Sequence, residues 1–414
     1  MTIPLDRLYT HLDDVCNRDD ILISHWYPHG SKKASDLKSL KSYPEYKDRI
    51  QVIFHDQEPL DFNFYQYHDL IKIDDPELQD ILNPMLSDPA FKEMMKTLHL
   101  RATIIQPVDS YDQTILVHSE LNSPEVETYK KHDFMPVYWW AHGIISQDWF
   151  RYAKVDIKTK HYPAQFDKTF LIYSRAWSGT RQYRLKFLKD LKESGLHLNS
   201  RVNFSAWDNG QHYSDLLQEM SFEQCFMSNT TQSSASADYA SDDYRQCAIE
   251  LVLETVYESS RIHLTEKTCR PLACGKPFLL AAGPGSLKIL RHYGFETFAP
   301  WINESYDLET DIDRRRTMII QEMQRLNAIP NNSGLWAELH RIAARNRKRF
   351  FSAKFTDMLF HEFKTNFDSA CDKLSSSEKY PNIIKKFISS SQHGEILLKY
   401  FQSHNVPWLH RVCQ

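Results

Sequence analysis

Short apolar runs rich in β-branched and aromatic residues punctuate the first 160 residues, each followed by a polar or aromatic loop. That pattern predicts buried parallel strands at 20–24, 50–54, 114–117 and 136–140, with helices at 88–98 and 124–131 between them. Around 152–167 the pattern lapses into a mixed Lys, Tyr and Pro stretch, which reads as an interdomain link. A second alternating unit follows: a strand at 169–173, an amphipathic helix at 181–194 stopped by Gly195, and strands at 202–204, 248–253 and 277–281. The Ser-, Thr- and Asp-rich segment 228–243 reads as a long loop, either a solvated linker or a substrate lid. Beyond Asp307 the period becomes 3.6, which predicts helices at 307–326, 334–351, 356–367 and 382–401. The expectation is an α/β protein with two Rossmann-like domains, at 1–160 and 165–305, and a helical C-terminal region at 306–414.

Composition fits that picture. With 42% hydrophobic and 25% charged residues over 414 positions, the chain has the make-up of a folded globular protein. Lys and Arg total 50 against 54 Asp and Glu, a net charge of −4, so there is no bulk positive field to draw in nucleic acid or anionic membrane. The seven cysteines form no CxxC pair and are read as reduced thiols. Charges stand where an apolar signal region would lie, and no stretch reaches the roughly 18 apolar residues that span a bilayer. A cytoplasmic protein without a membrane span is expected.

The segment richest in chemistry is RIHLTEKTCRPLACGKPFLLAAGPGSLK, residues 261–288. Thr265 is placed to cap a helix that carries Glu266, Lys267 and Arg270 in its first turns and stops at Gly275. A helix N-terminus beside cations favours phosphate oxygens, and Lys267 adds a full charge against a diphosphate. Glu266 cannot share that task; a carboxylate there suits the ribose hydroxyls of a nucleotide. Gly283, Gly285 and Ser286 end the next strand and open another helix, a second place for backbone to approach a ligand closely. On residue types alone, the alternative is a helix with solvated charges and a turn that only changes chain direction.

Thr265-Glu266-Lys267, some ten residues after Leu253-Glu254-Thr255 and followed by a small-residue helix, Gly275 and a strand into Gly283-Pro284, is similar to the donor-binding signature of α-1,3-fucosyltransferases. That family carries Phe-Glu-Asn where this chain has Leu-Glu-Thr, and a tyrosine where it has His263; the spacer here is about two residues longer. FLIYSRAWSGTRQYR (170–184) resembles the opening of the family's donor domain, where an arginine contacts the donor diphosphate; the matching residue is Arg181, with Arg175 and Arg184 as alternatives and Arg184 read as a helix-surface charge. VIFHDQEPLDFNFY (52–65) resembles the acceptor-domain loop that holds the family's general base, which implies Glu58 in that role and Asp56 as second candidate. The resemblance covers residues 50 to 300 in scattered blocks. It implies a GT-B glycosyltransferase that moves a sugar from a nucleotide-diphosphate sugar to a hydroxyl of a glycan or similar acceptor, with inversion, no cofactor and no metal.

Two other readings stand beside it. A phage-type enzyme that glycosylates hydroxymethylated DNA bases would use the basic stretch Lys32, Lys33, Lys38, Lys41 and Lys47 against a DNA backbone. A non-catalytic glycan- or nucleotide-binding protein would keep the fold without the reaction. Asp311-Ile-Asp313 has the spacing of a metal-binding Asp-x-Asp but lies in a charged helix beside three arginines and is read as structural. His25, His29, His55, His118 and His142 all follow predicted strands, which would place several near one crevice to bind acceptor or water as a group, while each taken singly is read as a loop residue. Trp139, Trp140 and Trp149 are read as core aromatics.

Overall fold

The computed structural model describes residues 113–131, 134–160, 166–228, 239–257 and 260–374, the strands at 21–24 and 50–55, and isolated positions at 58–60, between 80 and 91 and between 395 and 403. The fold is α/β, with two separate parallel sheets and helices between the strands. Among the described residues no helix is long and apolar enough to cross a membrane.

The chain divides into two compact units. One holds Ser119–Asn122 and Trp140–His361; the other holds Ser123–Trp139, the strands before it and the chain from Glu362 onward. The boundary therefore falls at Trp139–Trp140, ahead of the link expected at 152–167. Among the described residues, the helices after residue 306 do not form a unit of their own. The helices Ile312–Asn327 and Gly334–Phe350 belong to the unit of Trp140–His361, and the helix Ala353–Leu374 begins in one unit and ends in the other.

In the unit containing the early strands, β1 (Ile21–Ser24), β2 (Ile50–His55), β3 (Gln113–His118) and β4 (Phe134–Tyr138) run parallel and lie side by side in that order. Their registers align Phe54 with Val117 and Val117 with Val137, so buried apolar positions stack across the sheet. The helix Glu125–Lys131 makes the crossover from β3 to β4 and drives Tyr129 edge-on against Phe134, at 5.4 Å between ring centres. Phe363 stacks on Trp139 at 4.5 Å, and Asn366 donates to the Tyr138 carbonyl. These contacts fix the end of the helix Ala353–Leu374 on this sheet.

The other unit is built on β5 (Lys168–Ser174), β6 (Ser200–Phe204), β9 (Met227–Ser228), β10 (Cys247–Leu253) and β11 (Phe278–Ala281), all parallel in the order β11-β10-β5-β6-β9. β10 is buried at every position, as expected of a strand covered on both faces. The chain winds outward from β5 through β6 to β9, then returns to β10 on the other side of β5 and continues to β11. Winding thus reverses between β5 and β10, and in open parallel sheets the crevice beyond the carboxyl ends of two such strands is where ligands bind.

A short antiparallel hairpin, β7 (Trp207–Asp208) with β8 (Gln211–His212), follows β6, turned by Asn209 and Gly210 at positive φ. The segment expected as a loop at 228–243 ends in a helix, Ser241–Gln246; its residues 229–238 lie outside the described residues.

Candidate functional site

At the carboxyl end of β5 the chain enters a loop whose shape is imposed by hydrogen bonds. Asp208 accepts from the Trp177 and Ser178 amides at 2.7 and 2.6 Å, and the Trp177 indole donates to the Ser205 carbonyl. Gly179, at φ +59, opens the single 3-10 turn that ends at half-buried Arg181. Thr180 then reaches across to the next strand and donates its hydroxyl to the Thr255 carbonyl at 3.1 Å. Arg184, expected as a surface charge, is buried instead: its guanidinium donates to the carbonyls of Ala176, Leu253 and Glu254, tying the loop after β5 to the end of β10. Its periodicity was that of an amphipathic helix, but three carbonyls at the ends of the neighbouring segments draw it inward.

At the carboxyl end of β10 stands Glu254, fully buried. One carboxylate oxygen accepts from the Thr265 amide (2.9 Å), the Thr268 amide (3.1 Å) and the Thr268 hydroxyl (2.5 Å); the other accepts from the Thr255 amide (3.1 Å) and the Thr265 hydroxyl (2.7 Å). The helix Glu266–Cys274 begins here, with Thr265 as its N-cap and Gly275 closing it in the left-handed conformation. Its first amides were expected to be open to a phosphate. Glu254 and the Thr265 side chain already satisfy those of Thr265, Lys267 and Thr268. A carboxylate at a helix N-terminus is the favourable sign for the dipole, so the protein has filled its own anion site.

Lys267, with about a sixth of its side chain exposed, spends its three ammonium protons on the Glu266 carboxylate (2.7 Å) and the hydroxyls of Thr255 (3.1 Å) and Thr265 (3.3 Å). The two hydroxyl contacts are the weaker ones and the ones an anion would displace. Glu266 is buried, which works against its charged form, but Lys267 and His142 beside it hold its carboxyl well below the usual carboxylate range. The second Glu266 oxygen lies 3.9 Å from His142 Nδ1. The His142 ring meets that of His263 edge-on, 5.5 Å between centres, and His263 Nδ1 lies 4.0 Å from Glu120. Arg261 closes the row by gripping both oxygens of Glu120, at 2.5 and 3.0 Å. Glu120 comes to this place because Leu121 pairs with Ile262 through two backbone hydrogen bonds. The result is a row of six ionisable side chains, Lys267, Glu266, His142, His263, Glu120 and Arg261, within one unit.

The remaining candidates fall elsewhere. Arg270 pairs with Glu250 in the middle of β10 at 2.7 Å, donates to the Tyr244 hydroxyl and lies over the Tyr173 ring, so its charge is spent inside the fold. Gly283, Gly285 and Ser286 do form the turn into the helix Ser286–His292, with Gly285 at φ +84. However, the Gly285 and Leu287 amides are taken by the carbonyl and carboxylate of Asp307, and the Ser286 hydroxyl by the Gly283 carbonyl. Arg175, half-buried, stays with Arg181 on the loop after β5. Glu58, half-buried just after β2, belongs to the other unit, and His55 reaches the Pro59 carbonyl beside it. Asp56 lies outside the described residues, as do His25, His29 and the lysines at 32, 33, 38, 41 and 47. Asp311 caps the helix Ile312–Asn327, and Asp313 pairs with Arg316 and Lys186.

Sequence reasoning therefore found Glu266, Lys267 and Arg181 at neighbouring strand ends, and missed Glu120, Glu254 and Asp208 as site-builders. Glu254 was visible as part of the triplet before the helix; its partners eleven and fourteen residues on were not. Set against known proteins, the chain matches no family model and no curated protein sequence.

Proposed function

We propose that the chain is a glycosyltransferase that takes its sugar from a nucleotide-diphosphate donor held by the unit of β5 and β10. One observation carries the reading: at the point where the winding reverses, Thr180 bonds Thr255 and Thr255 bonds Lys267, so the Arg181 loop and the Thr265-Glu266-Lys267 helix are joined at adjacent strand ends. A parallel order with such a reversal supports reading this unit as a Rossmann-like nucleotide-binding domain with its ligand crevice at the reversal point.

In this reading a diphosphate oxygen displaces the Thr255 and Thr265 hydroxyls from Lys267; the Thr255 hydroxyl then returns as a donor to the same phosphate, while the Thr265 hydroxyl keeps its proton on Glu254. Arg181 supplies the second charge, with the bidentate grip that guanidinium offers phosphate. These side chains, rather than helix amides, stabilise the charge that grows on the departing diphosphate. Glu266 keeps one oxygen on Lys267 and offers the other to a ribose or sugar hydroxyl. Glu58 keeps the general-base assignment, with a glycan-type hydroxyl as acceptor; that assignment and the GT-B class rest on the resemblance to α-1,3-fucosyltransferases.

Transfer and hydrolysis of a panel of uridine-, guanosine- and cytidine-diphosphate sugars by the purified chain test the proposal. Turnover of one donor class, lost on Lys267→Ala, supports it; no turnover and no binding across the panel overturns it.

A further inference from the structure

We infer that His142 is a positioning residue for Glu266, setting the aim of the one carboxylate oxygen left to recognise a hydroxyl of the ligand. The inference rests on the proposed donor site and concerns how that site tells a diol-bearing nucleotide from a bare diphosphate.

The argument starts from lone pairs. Glu266 is buried, and its Oε1 is held by Lys267 at 2.7 Å, so recognition falls to Oε2. Glu266 stands at the first position of the helix Glu266–Cys274, where no preceding helical turn packs against its side chain. His142 Nδ1 lies 3.9 Å from Oε2, longer than a hydrogen bond but close enough to bias the carboxylate's direction and to tighten when a ligand closes the site.

His142 is itself unusually constrained for a residue near a helix start. Its ring is buried and packs edge-on against His263. Its carbonyl accepts from the Cys269 thiol of the same helix that carries Glu266. Trp140, two residues earlier, donates its indole N–H to the Leu264 carbonyl at 2.8 Å, locking the start of the helix Ala141–Trp149 to the loop that leads into Glu266. Behind His263, the Arg261–Glu120 pair braces the far end of the row. A buried imidazole held from both sides and aimed at a buried carboxylate is a rigid support of the kind that precise hydroxyl recognition requires. A hydroxyl seated on a correctly aimed carboxylate is a charge-assisted hydrogen bond, and its loss costs roughly 10-fold to 100-fold in affinity.

The test uses the full chain and three probes: UDP and GDP, their 2′,3′-dideoxy counterparts, and inorganic pyrophosphate. For wild type, the ribonucleotide that binds is expected to do so at least about 10-fold more tightly than its dideoxy form. His142→Phe, which keeps ring volume and removes both nitrogens, is expected to bring that ratio close to one while leaving pyrophosphate affinity unchanged. His142→Asn, which restores a nitrogen donor, is expected to recover part of the ratio, and Glu266→Gln to lose it as His142→Phe does. A merely structural residue would weaken all three probes together. An unchanged ribose-to-dideoxy ratio in His142→Phe, or in His142→Asn with no gain over it, overturns the inference while leaving the donor site standing. A wild-type ratio of one overturns it without any variant. Failure of wild type to bind either nucleotide or pyrophosphate overturns the donor site, and the inference with it.

Discussion

Replacing Glu254 measures how the loops at the carboxyl end of β10 are held. Its carboxylate accepts five hydrogen bonds in a fully buried position, three of them from the backbone amides of Thr255, Thr265 and Thr268. Glu254→Ala leaves those three amides without an acceptor, while the two threonine hydroxyls can rotate to other partners. At about 1–3 kcal/mol for each buried donor left unsatisfied, and with a water able to enter the vacated space, the loss is about 3–6 kcal/mol. Glu254→Gln is expected to keep its amide oxygen on Thr265 and Thr268 and to turn its NH2 toward the Thr255 amide, donor against donor. That orphans one amide, and the loss falls to about 1–3 kcal/mol. Urea unfolding followed by tryptophan fluorescence, with the denaturant slope checked for constancy, gives both values. An alanine variant within about 1 kcal/mol of wild type, or a glutamine variant as damaged as the alanine one, would refute the view that Glu254 caps the helix Glu266–Cys274 and seals its anion site.

Three further outcomes are expected. Burial pushes the Asp307 carboxyl up from its ordinary 3.8 to about 7, against the Leu287 amide bond that favours its charged form; a rise of that size corresponds to roughly 4 kcal/mol at most. The folded state therefore binds the extra proton between those values, so this contribution is complete below pH 3.8 and is lost as pH rises through about 7. Asp307→Asn should flatten the pH dependence of unfolding over that window, and an unchanged profile would remove Asp307 as its source. Arg270→Met strands the Glu250 carboxylate inside β10 and should cost about 3–5 kcal/mol, while the double variant with Glu250→Leu should recover most of it; a single variant of wild-type stability would show that the pair is not buried in solution. Glu58→Gln should lower kcat at least about 100-fold while donor binding persists, and retained turnover would take the general-base role from Glu58.

The strands were legible because a strand covered on both faces writes a continuous apolar run, as in Cys247–Leu253 and Lys168–Ser174. The fourth strand shows the limit of that signal. Trp139 and Trp140 continue the apolar run past Tyr138, yet Trp140 already precedes the helix Ala141–Trp149. That helix left no periodic trace, since it is buried on nearly all sides, lacks a capping side chain and carries Gly143 where an added Cβ would strike Leu359. The Asn209–Gly210 turn of the hairpin was a readable signal that went unread. At the site, what was legible was local: the Thr265 cap, the Glu266–Lys267 neighbours and Gly275 at the helix end. The Glu120–Arg261 pair joins residues 141 positions apart, a distance across which no spacing rule speaks. Arg184 and Arg270 failed for a shared reason. Charge type shows in a sequence, but the buried carbonyls and the mid-strand carboxylate that recruit those charges inward do not.

Calorimetric titration of UDP and GDP into wild type, Lys267→Ala and Arg181→Ala tests the donor site most directly. Binding of one of the two nucleotides to wild type, weakened at least about 10-fold by each substitution, is the predicted result. Wild type that takes up neither nucleotide, or variants that bind as tightly as wild type, would contradict the assignment of a diphosphate to the reversal point between β5 and β10.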